Sequence, residues 1–197
     1  MNFYCRYLLL GLSCSIFVVS CSSSSSGVSP SMSDYDAKPA ASTSVIKTEK
    51  KILAQVNTVR KKASLPEVKY HAGVSGIARA HSQYMAKHGG SFSGESKDIT
   101  HEGFHLRLGK ARADHKIARM GENVAYMVKT SSLAPDTIKE WLNSKLHKKT
   151  MLDRRYDVAG VGVAYKGSVT LVTLLMAKER TADTAYTTIS HRTPFRL

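Results

Sequence analysis

Two apolar segments near the C-terminal end constrain the fold of this chain more than any other feature. Residues 158–165 and 169–176 are rich in valine, leucine and alanine, and they flank a glycine-containing turn at 166–168. This pattern predicts a β-hairpin. Gly160 and Gly162 lie inside the first strand, where glycine is typical of a close approach by a neighbouring backbone. We therefore expect an antiparallel sheet with another element packed tightly on it.

Four segments before this hairpin have the periodicity of amphipathic helices. They are expected at residues 52–63, at 73–88, from about 103 onward, and at 131–142. The inward sides of the last two are expected to carry Phe104, Leu108 and Ala111, and Ile138, Trp141 and Leu142, respectively. Pro66 and Gly89 supply stop signals for the first two. Helices combined with a small antiparallel sheet predict the α+β class.

Residues 1–20 have the pattern of a lipoprotein signal peptide. Arg6 precedes a short apolar run at 8–19, and residues 18–21 (VVSC) have the form of a lipoprotein cleavage site. The apolar run is shorter than a bilayer span requires. We expect cleavage before Cys21, which would carry the lipid, and an uncleaved membrane anchor is the alternative. Export and attachment to the cell envelope follow in both cases, and Ser22 is typical of outer-membrane sorting in a two-membrane bacterium.

The positions of the cysteines exclude several kinds of site. The three cysteines are Cys5, Cys14 and Cys21, so only Cys21 remains after the expected cleavage. A disulfide, a thiolate metal site and a cysteine nucleophile are then excluded from the mature chain. An exported domain without a disulfide has to be stable through its hydrophobic core.

Composition divides the remainder of the chain into three parts. Residues 21–44 include five consecutive serines and little apolar surface, so we expect a flexible tether. One domain of ordinary size is expected at residues 45–178. Residues 179–197 are rich in threonine, alanine and arginine and are expected to form a loosely held tail.

Five sequence blocks within the predicted domain resemble those of a known family. They are residues 80–86 (AHSQYMA), 100–101 (TH), 121–125 (GENVA), 141–144 (WLNS) with His147 and Leu152, and 160–164 (GVGVA). In this order they resemble the bacterial lipoprotein branch of the CAP superfamily, or SCP domain, which groups cysteine-rich secretory proteins, antigen 5 and pathogenesis-related proteins. The resemblance covers residues 52–177. It implies an α-β-α sandwich with a small central antiparallel sheet flanked by helices.

The resemblance also implies a central cavity lined by two histidines and one or two acids. Carried over by motif, His101 and His147 are the cavity histidines, and Glu122 is the acid of the Gly-Glu-Asn block. In the animal and plant branches a second acid follows the tryptophan by three residues, where this chain has Ser144. Glu140 lies one helical turn before Ser144, and we expect it either to replace that acid or to be an exposed helix residue.

These groups are compatible with two kinds of chemistry. The imidazoles of His101 and His147 with the carboxylate of Glu122 have the composition of a catalytic zinc site with room for water. A bound zinc would lower the pKa of that water and support hydrolysis. Without a metal, the same groups form a polar cluster or a ligand-recognition site, which the resemblance favours. His81, on the apolar stripe of the second helix, is expected to be a hydrogen-bonded core residue, with a place in the site as the alternative.

A second histidine motif overlaps the first. Residues 101–105 (HEGFH) match the H-E-x-x-H pattern of zinc peptidases. That motif requires both histidines on one buried helix, whereas His101 follows a polar loop and Gly103 interrupts a helix through the motif. We therefore expect His101 to belong to the cavity and the next helix to begin after it. A full metzincin motif is excluded because its third histidine is absent.

The net charge adds a separate indication. The formal net charge is +14. The cations cluster at Lys50-Lys51, Arg60-Lys61-Lys62, Lys145, Lys148-Lys149 and Arg154-Arg155. Such a surface favours anionic partners such as lipid headgroups or envelope polyanions, and a solvated face that serves solubility is the alternative. These cations lack an aromatic stacking platform, so a nucleic-acid partner is not expected.

Three functions are therefore compatible with the sequence. The first is binding of a lipid, sterol-like or envelope ligand in the cavity of an exported lipoprotein. The second is zinc-dependent hydrolysis by His101, Glu122 and His147, with Glu122 as metal ligand or base. The third is binding of envelope polyanions by the basic surface, with the cavity purely structural.

Overall fold

The computed structural model describes residues 29–36, 41–92 and 99–181. In chain order the elements are α1 (Ser33–Asp36), α2 (Thr43–Lys62), β1 (Lys69–Tyr70), α3 (Ala72–His88), α4 (Phe104–His115), β2 (Ile117–Val128), α5 (Leu133–Asn143), α6 (Lys145–Met151), β3 (Val158–Lys166) and β4 (Val169–Glu179). The predicted signal peptide, the lipidation site Cys21 and the tail beyond residue 181 lie outside the described residues.

The four strands form one sheet in the order β1-β3-β4-β2. β3 and β4 pair antiparallel from Lys166↔Val169 onward, which confirms the predicted hairpin. β2 pairs antiparallel with the other edge of β4, and the short β1 pairs parallel with β3. The sequence predicts an extended apolar segment only at residues 124–128. β2 already begins at Ile117, so this strand is longer than predicted and carries Glu122 within it.

Helices cover both faces of the sheet. The core between the sheet and the layer of α2 and α5 includes Ile52, Val56, Trp141, Val161 and Leu174. The core between the sheet and the layer of α3 and α4 includes Val74, Ile77, Ala111, Val158 and Leu175. This architecture confirms the predicted α+β class and the α-β-α sandwich.

The two glycines of β3 explain how closely α3 packs on the sheet. A Cβ atom added to Gly162 would lie 2.0 Å from the backbone nitrogen of Arg79, and one added to Gly160 would lie 2.2 Å from that of Ser75. Both neighbouring atoms belong to the main chain of α3. Backbone atoms within a helix cannot move aside as the end of a flexible side chain can. The close backbone approach predicted from these glycines is therefore confirmed.

Leu142 differs from the prediction made from the sequence. The buried stripe of α5 runs through Thr137, Ile138 and Trp141, whereas Leu142 is 36% exposed. The predicted burial of Leu142 is wrong because the buried stripe is centred on Trp141. Leu142, the next residue around the helix, lies at the edge of that stripe.

Arg60, counted above with the basic clusters, is fully buried. Its guanidinium donates to the main-chain carbonyls of Pro66 at 2.9 Å, Met151 at 2.8 Å and Asp153 at 3.0 Å. A planar group with five donors is able to satisfy several carbonyls at once. Arg60 therefore fastens the C-terminal end of α6 to α2 and does not contribute to a basic surface.

Residues 29–36, which we call the strap, lie against the domain although the sequence placed them in the flexible tether. Pro30 is buried, and Tyr35 is only 1% exposed. The tether prediction is wrong for the strap because a single tyrosine buries a large apolar ring and helps to offset the entropy of ordering. The domain also begins slightly earlier than residue 45, since α2 starts at Thr43.

Within residues 29–36, 41–92 and 99–181, no helix combines the length and apolar character needed to cross a bilayer.

Candidate functional site

A cleft of about 540 Å³ lies beside β2, between α4 and α6. It is lined by Ile99, His101, Phe104, Met120, Gly121, Glu122, Val124, Ser144, Leu146, His147 and Thr150. Four of the predicted site residues are therefore brought to one place: His101, Glu122, Ser144 and His147. The volume falls in the range that is usual for small-molecule sites.

The Glu122 carboxylate is held by an arginine that the sequence analysis missed. Both side chains are buried, with Arg107 0% and Glu122 2% exposed. Arg107 Nη2 donates to Glu122 Oε1 at 2.6 Å, and Nε donates to Oε2 at 2.7 Å. This is a bidentate pair, the strongest geometry for a guanidinium and a carboxylate. The acid of the cleft is thus already neutralised by a fixed cation.

The position of Arg107 was readable from helical periodicity. Phe104, Arg107, Leu108 and Ala111 follow one another at intervals of three, one and three residues, which places all four on one side of α4. Three of them were assigned to the inward side, so an arginine in the same stripe had to be buried or paired. A buried charge of this kind requires a partner of opposite sign.

His101 lies at the open side of the cleft, and its side chain is 45% exposed. Its Nδ1 lies 2.9 Å from Glu122 Oε1. Because an ionised carboxylate only accepts hydrogen bonds, Nδ1 carries the proton and donates it. Nε2, the other ring nitrogen of His101, takes no part in this hydrogen bond.

α6 brings His147 and Ser144 to the opposite wall. Ser144 precedes the helix, and its hydroxyl accepts a hydrogen bond from the backbone nitrogen of His147 at 3.4 Å, as an N-cap. Asn123 Nδ2 donates to the His147 carbonyl at 2.9 Å. The rings of His101 and His147 face each other with centroids 6.3 Å apart. Ser144 thus fixes the helix that carries the second histidine.

His81 is fully buried behind the cleft. Its Nε2 lies 2.8 Å from the Thr100 carbonyl and therefore donates to it, which leaves Nδ1 as an acceptor for the Tyr35 hydroxyl at 3.4 Å. His81 Nε2 also lies 4.0 Å from Glu122 Oε1. The structure therefore has His81 as the hydrogen-bonded core residue that was expected, and it does not line the cleft.

Glu140 is exposed on α5 and is absent from the cleft lining. It follows the outer side of the helix, because Trp141 and Ile138 take the inner side. Of the two expectations for Glu140, the structure supports the exposed helix residue.

The backbone conformation at Gly103 decides whether residues 101–105 form the H-E-x-x-H motif of a zinc peptidase. Gly103 adopts a left-handed conformation with φ 72°, and α4 starts only at Phe104. His101 therefore precedes the helix while His105 lies exposed within it, so the two histidines do not share a helix. The H-E-x-x-H interpretation is wrong for this chain.

Comparison with protein families is decisive at this point. Residues 53–176 match the family described as the cysteine-rich secretory protein family, CAP. The chain belongs to the CAP family. The matched residues contain β1, β2, β3, β4 up to residue 176, α3, α4, α5, α6 and every residue of the cleft lining.

Several relatives of this CAP domain are known. The uncharacterized membrane protein YlbC of Bacillus subtilis is 34% identical over 119 residues, which cover 60% of this chain and 32% of that protein. The chain thus spans about a third of the length of that relative.

Solved structures with the same fold come from other bacteria. An outer surface protein of Borrelia burgdorferi is 20% identical, with a TM-score of 0.53, and the match covers 72% of this chain and 97% of that one. An extracellular protein with an SCP domain from Bacillus anthracis is 22% identical, with a TM-score of 0.52, over 73% of this chain and 45% of that one. At these identities the likeness establishes the fold.

The electrostatics of the CAP cleft keep Glu122 ionised and lower the pKa of His147. Burial by itself raises the pKa of Glu122, but the hydrogen bond from His101 and the charge of Arg107 outweigh it and hold the pKa below the usual value. His81 adds to this effect only when it is protonated. Burial lowers the pKa of His147, and the nearby His101 lowers it further. The cleft therefore presents an ionised Glu122 carboxylate and a neutral His147 imidazole at neutral pH.

His81 makes the stability of the CAP domain dependent on pH. Burial lowers its pKa from 6.5 to about 4, with Glu122 acting in the opposite direction and Arg107 and His101 in the same one. Between these values the unfolded chain binds a proton that the folded protein excludes, so acid favours unfolding. We expect the free energy of unfolding to fall by about 3 kcal/mol from this group as the pH decreases from 6.5 to 4.

Urea unfolding at several pH values measures this effect. His81→Gln keeps a donor for the Thr100 carbonyl. It is expected to abolish most of the fall in the free energy of unfolding that His81 causes between pH 6.5 and 4. His105→Gln, which removes an exposed histidine nearby, is the matched control. Identical slopes for wild type and His81→Gln between pH 4 and 6.5 would contradict the assignment.

The predicted three-ligand zinc site does not fit the observed geometry. Both oxygens of Glu122 accept hydrogen bonds from Arg107, and Oε1 accepts a further one from His101. A divalent cation at that carboxylate would have to displace the guanidinium or lie beside its positive charge. Among the described residues, no group of three or more metal-binding side chains is arranged to hold an ion. A site with only His101 and His147 as protein ligands stays a prediction.

Proposed function

We propose that this chain is an exported, lipid-anchored CAP domain that binds an amphipathic anionic ligand of the cell envelope in the cleft between His101 and His147. The lipid anchor at Cys21 and the export rest on the sequence pattern of residues 1–21. The name of the family, cysteine-rich secretory protein, is consistent with export.

The composition of the cleft lining is the observation that carries this proposal. One part is apolar and consists of Ile99, Phe104, Met120, Val124 and Leu146. The other part offers the imidazoles of His101 and His147 and the hydroxyls of Ser144 and Thr150. Because Glu122 is neutralised by Arg107, the polar part does not repel an anion. An acyl chain against the first part and a headgroup against the second match this arrangement.

The rim of the cleft adds positive charge. Lys145, Lys148 and Lys149 on α6 are exposed, and none of them forms an ion pair with another described residue. Leu146, between them, is 75% exposed and lines the cleft. An exposed leucine among unpaired lysines favours an anionic amphipathic partner over a purely polar one.

The same geometry weakens the hydrolase hypothesis. That hypothesis assigns Glu122 the role of metal ligand or base, but the bidentate contact with Arg107 leaves it no free oxygen directed at a reacting group. Ligand binding requires only the surfaces that the cleft already presents. We therefore propose binding as the function of the site.

Binding of lysophosphatidylglycerol, which combines one acyl chain with an anionic headgroup, tests the proposal. Calorimetry with the full chain, below the critical micelle concentration, is expected to give saturable binding. Leu146→Asp places a negative charge on the apolar wall and is expected to weaken binding by about tenfold or more, equivalent to about 1.4 kcal/mol.

The control variant is Leu142→Asp, which makes the same change at another exposed leucine, outside the cleft lining. Lysophosphatidylcholine, with the same chain and no net charge, is expected to bind more weakly than the anionic lipid. Binding that resists added salt indicates the cleft, whereas a steep loss with salt indicates the basic surface alone. Equal affinity of wild type and Leu146→Asp would refute the cleft as the site.

A further inference from the structure

The strap contacts the site from the side opposite the open cleft. Tyr35 is buried between α3 and α4, and its hydroxyl lies 2.7 Å from Arg107 Nη1. The Arg107 guanidinium also lies over the Tyr35 ring at 5.3 Å from the centroid. A residue from the segment that leads toward the proposed membrane anchor therefore touches the cation that holds Glu122.

Tyr35 completes the hydrogen bonding of that cation. A guanidinium has five N–H donors. In Arg107, Nε and one Nη2 hydrogen reach Glu122, the second Nη2 hydrogen reaches the His101 carbonyl, and Nη1 reaches the Glu102 carbonyl and the Tyr35 hydroxyl. All five donors are thus satisfied, and one of them only by the strap. Without Tyr35 a buried charged group would keep a donor without a partner.

The Tyr35 hydroxyl also contacts His81, the buried histidine behind the cleft. Because Tyr35 accepts from Arg107, its own proton points toward His81 Nδ1 at 3.4 Å. His81 in turn donates to the carbonyl of Thr100, the residue before His101. Two series of contacts therefore lead from Tyr35 to His101. One runs through Arg107 and Glu122, and the other runs through His81 and Thr100.

The absence of a side chain at Gly103 leaves room for the docked strap. A Cβ atom on Gly103 would lie 2.6 Å from Pro30 Cγ and 3.1 Å from the Tyr35 hydroxyl. Gly103 also adopts φ 72°, a conformation that favours glycine. The turn between His101 and α4 is thus shaped to receive Pro30 and Tyr35, which is an observation independent of the hydrogen bonds.

We propose that Tyr35 is a positioning residue of the cleft. Docking of the strap supplies the fifth acceptor of Arg107 and so fixes Glu122 and His101 in the orientation that faces the ligand. The strap, which lies between the expected lipid anchor and α2 in the sequence, is in this way part of the site, and its docking controls the order of the cleft. The expected effect on affinity rests on the proposed function, while the effect on Arg107 does not.

NMR of the ¹⁵N-labelled full chain tests whether Tyr35 orders the pair of Arg107 and Glu122, through the hydrogen exchange of the Arg107 Nε–H group, which donates to Glu122. Tyr35→Phe removes only the hydroxyl and is expected to accelerate this exchange roughly tenfold, the size of one lost hydrogen bond to a charged group. Lysophosphatidylglycerol affinity is expected to fall in the same direction. Pro30→Gly loosens the strap without touching Arg107 and is expected to act likewise.

Tyr70→Phe, which removes a hydroxyl from a tyrosine 37% exposed on β1, is the matched control. Faster Arg107 exchange in Tyr35→Phe and unchanged exchange in Tyr70→Phe support the proposal. Unchanged exchange in Tyr35→Phe, or an equal change in both variants, overturns it. If the wild type fails to bind the lipid, the proposed function fails, while the Arg107 exchange still decides the role of Tyr35.

Discussion

Gly162→Ala is expected to lower the free energy of unfolding by about 3 to 5 kcal/mol, because its Cβ atom would make the shortest contact among the described glycines. The added Cβ would lie 2.0 Å from the nitrogen of Arg79 and 2.1 Å from the carbonyl carbon of Ala78. Both atoms belong to the backbone of α3, so the contact is relieved only by moving the helix off the sheet. The buried pair between Arg79 and Glu49, with Nε to Oε1 at 2.8 Å, would move with it.

Denaturant unfolding followed by circular dichroism measures this loss. Gly76→Ala is the matched control, since Gly76 lies within α3 and a Cβ atom there meets no other atom within 4 Å. That variant is expected to be neutral or to stabilise the protein by up to about 1 kcal/mol, because alanine is the better helix former. If Gly162→Ala were as stable as wild type, α3 would not lie where the structure places it.

Arg107→Met is expected to destabilise the protein by about 3 to 5 kcal/mol, because it leaves the Glu122 carboxylate buried without its partner. The variant is also expected to raise the pKa of Glu122, since the guanidinium is one of the groups that lower it. We expect the raised pKa to lie above the usual value of 4.5, so the variant should gain stability as the pH falls toward 4.5, whereas the wild type loses the contribution of Glu122 only below that pH.

Two further variants distinguish the effect of breaking the buried pair from the effect of removing a positive charge in general. Arg112→Met removes an exposed arginine from the same helix and is expected to have little effect. Arg107→Met combined with Glu122→Leu removes both charges and is expected to recover part of the lost stability. A double variant less stable than Arg107→Met alone would contradict an energetic role for the pair.

Local patterns predicted most of the fold. The hairpin followed from two apolar runs around Gly167, and the close packing of α3 followed from Gly160 and Gly162. Such features are encoded within a few residues, because strand pairing across a tight turn and the absence of a Cβ atom are local properties. The first part of β2, residues 117–123, and the short α6 were missed, since both depend on neighbours that are distant in sequence.

The cleft was predicted through a resemblance, and the structure changed how its residues are used. His101, Glu122, Ser144 and His147 line it together, while Glu140 stays outside. Residue type alone made Glu122 equally suitable as a metal ligand or as a salt-bridge partner. Its contacts with Arg107 decide between these uses, because a carboxylate that accepts two hydrogen bonds from a buried cation has little left to offer a metal.

The sequence by itself determined the α+β class, the hairpin, the tight contact of a helix on β3, and the set of histidines and acid that meet in the cleft. Only the tertiary structure decided that Arg107 neutralises Glu122 and that Tyr35, in the presumed tether, completes the arginine. The reason is physical: Tyr35, Arg107 and Glu122 lie far apart along the chain, and no local periodicity specifies which buried donor meets which acceptor. Burial then makes those contacts obligatory, because an unpaired charge in the core is costly.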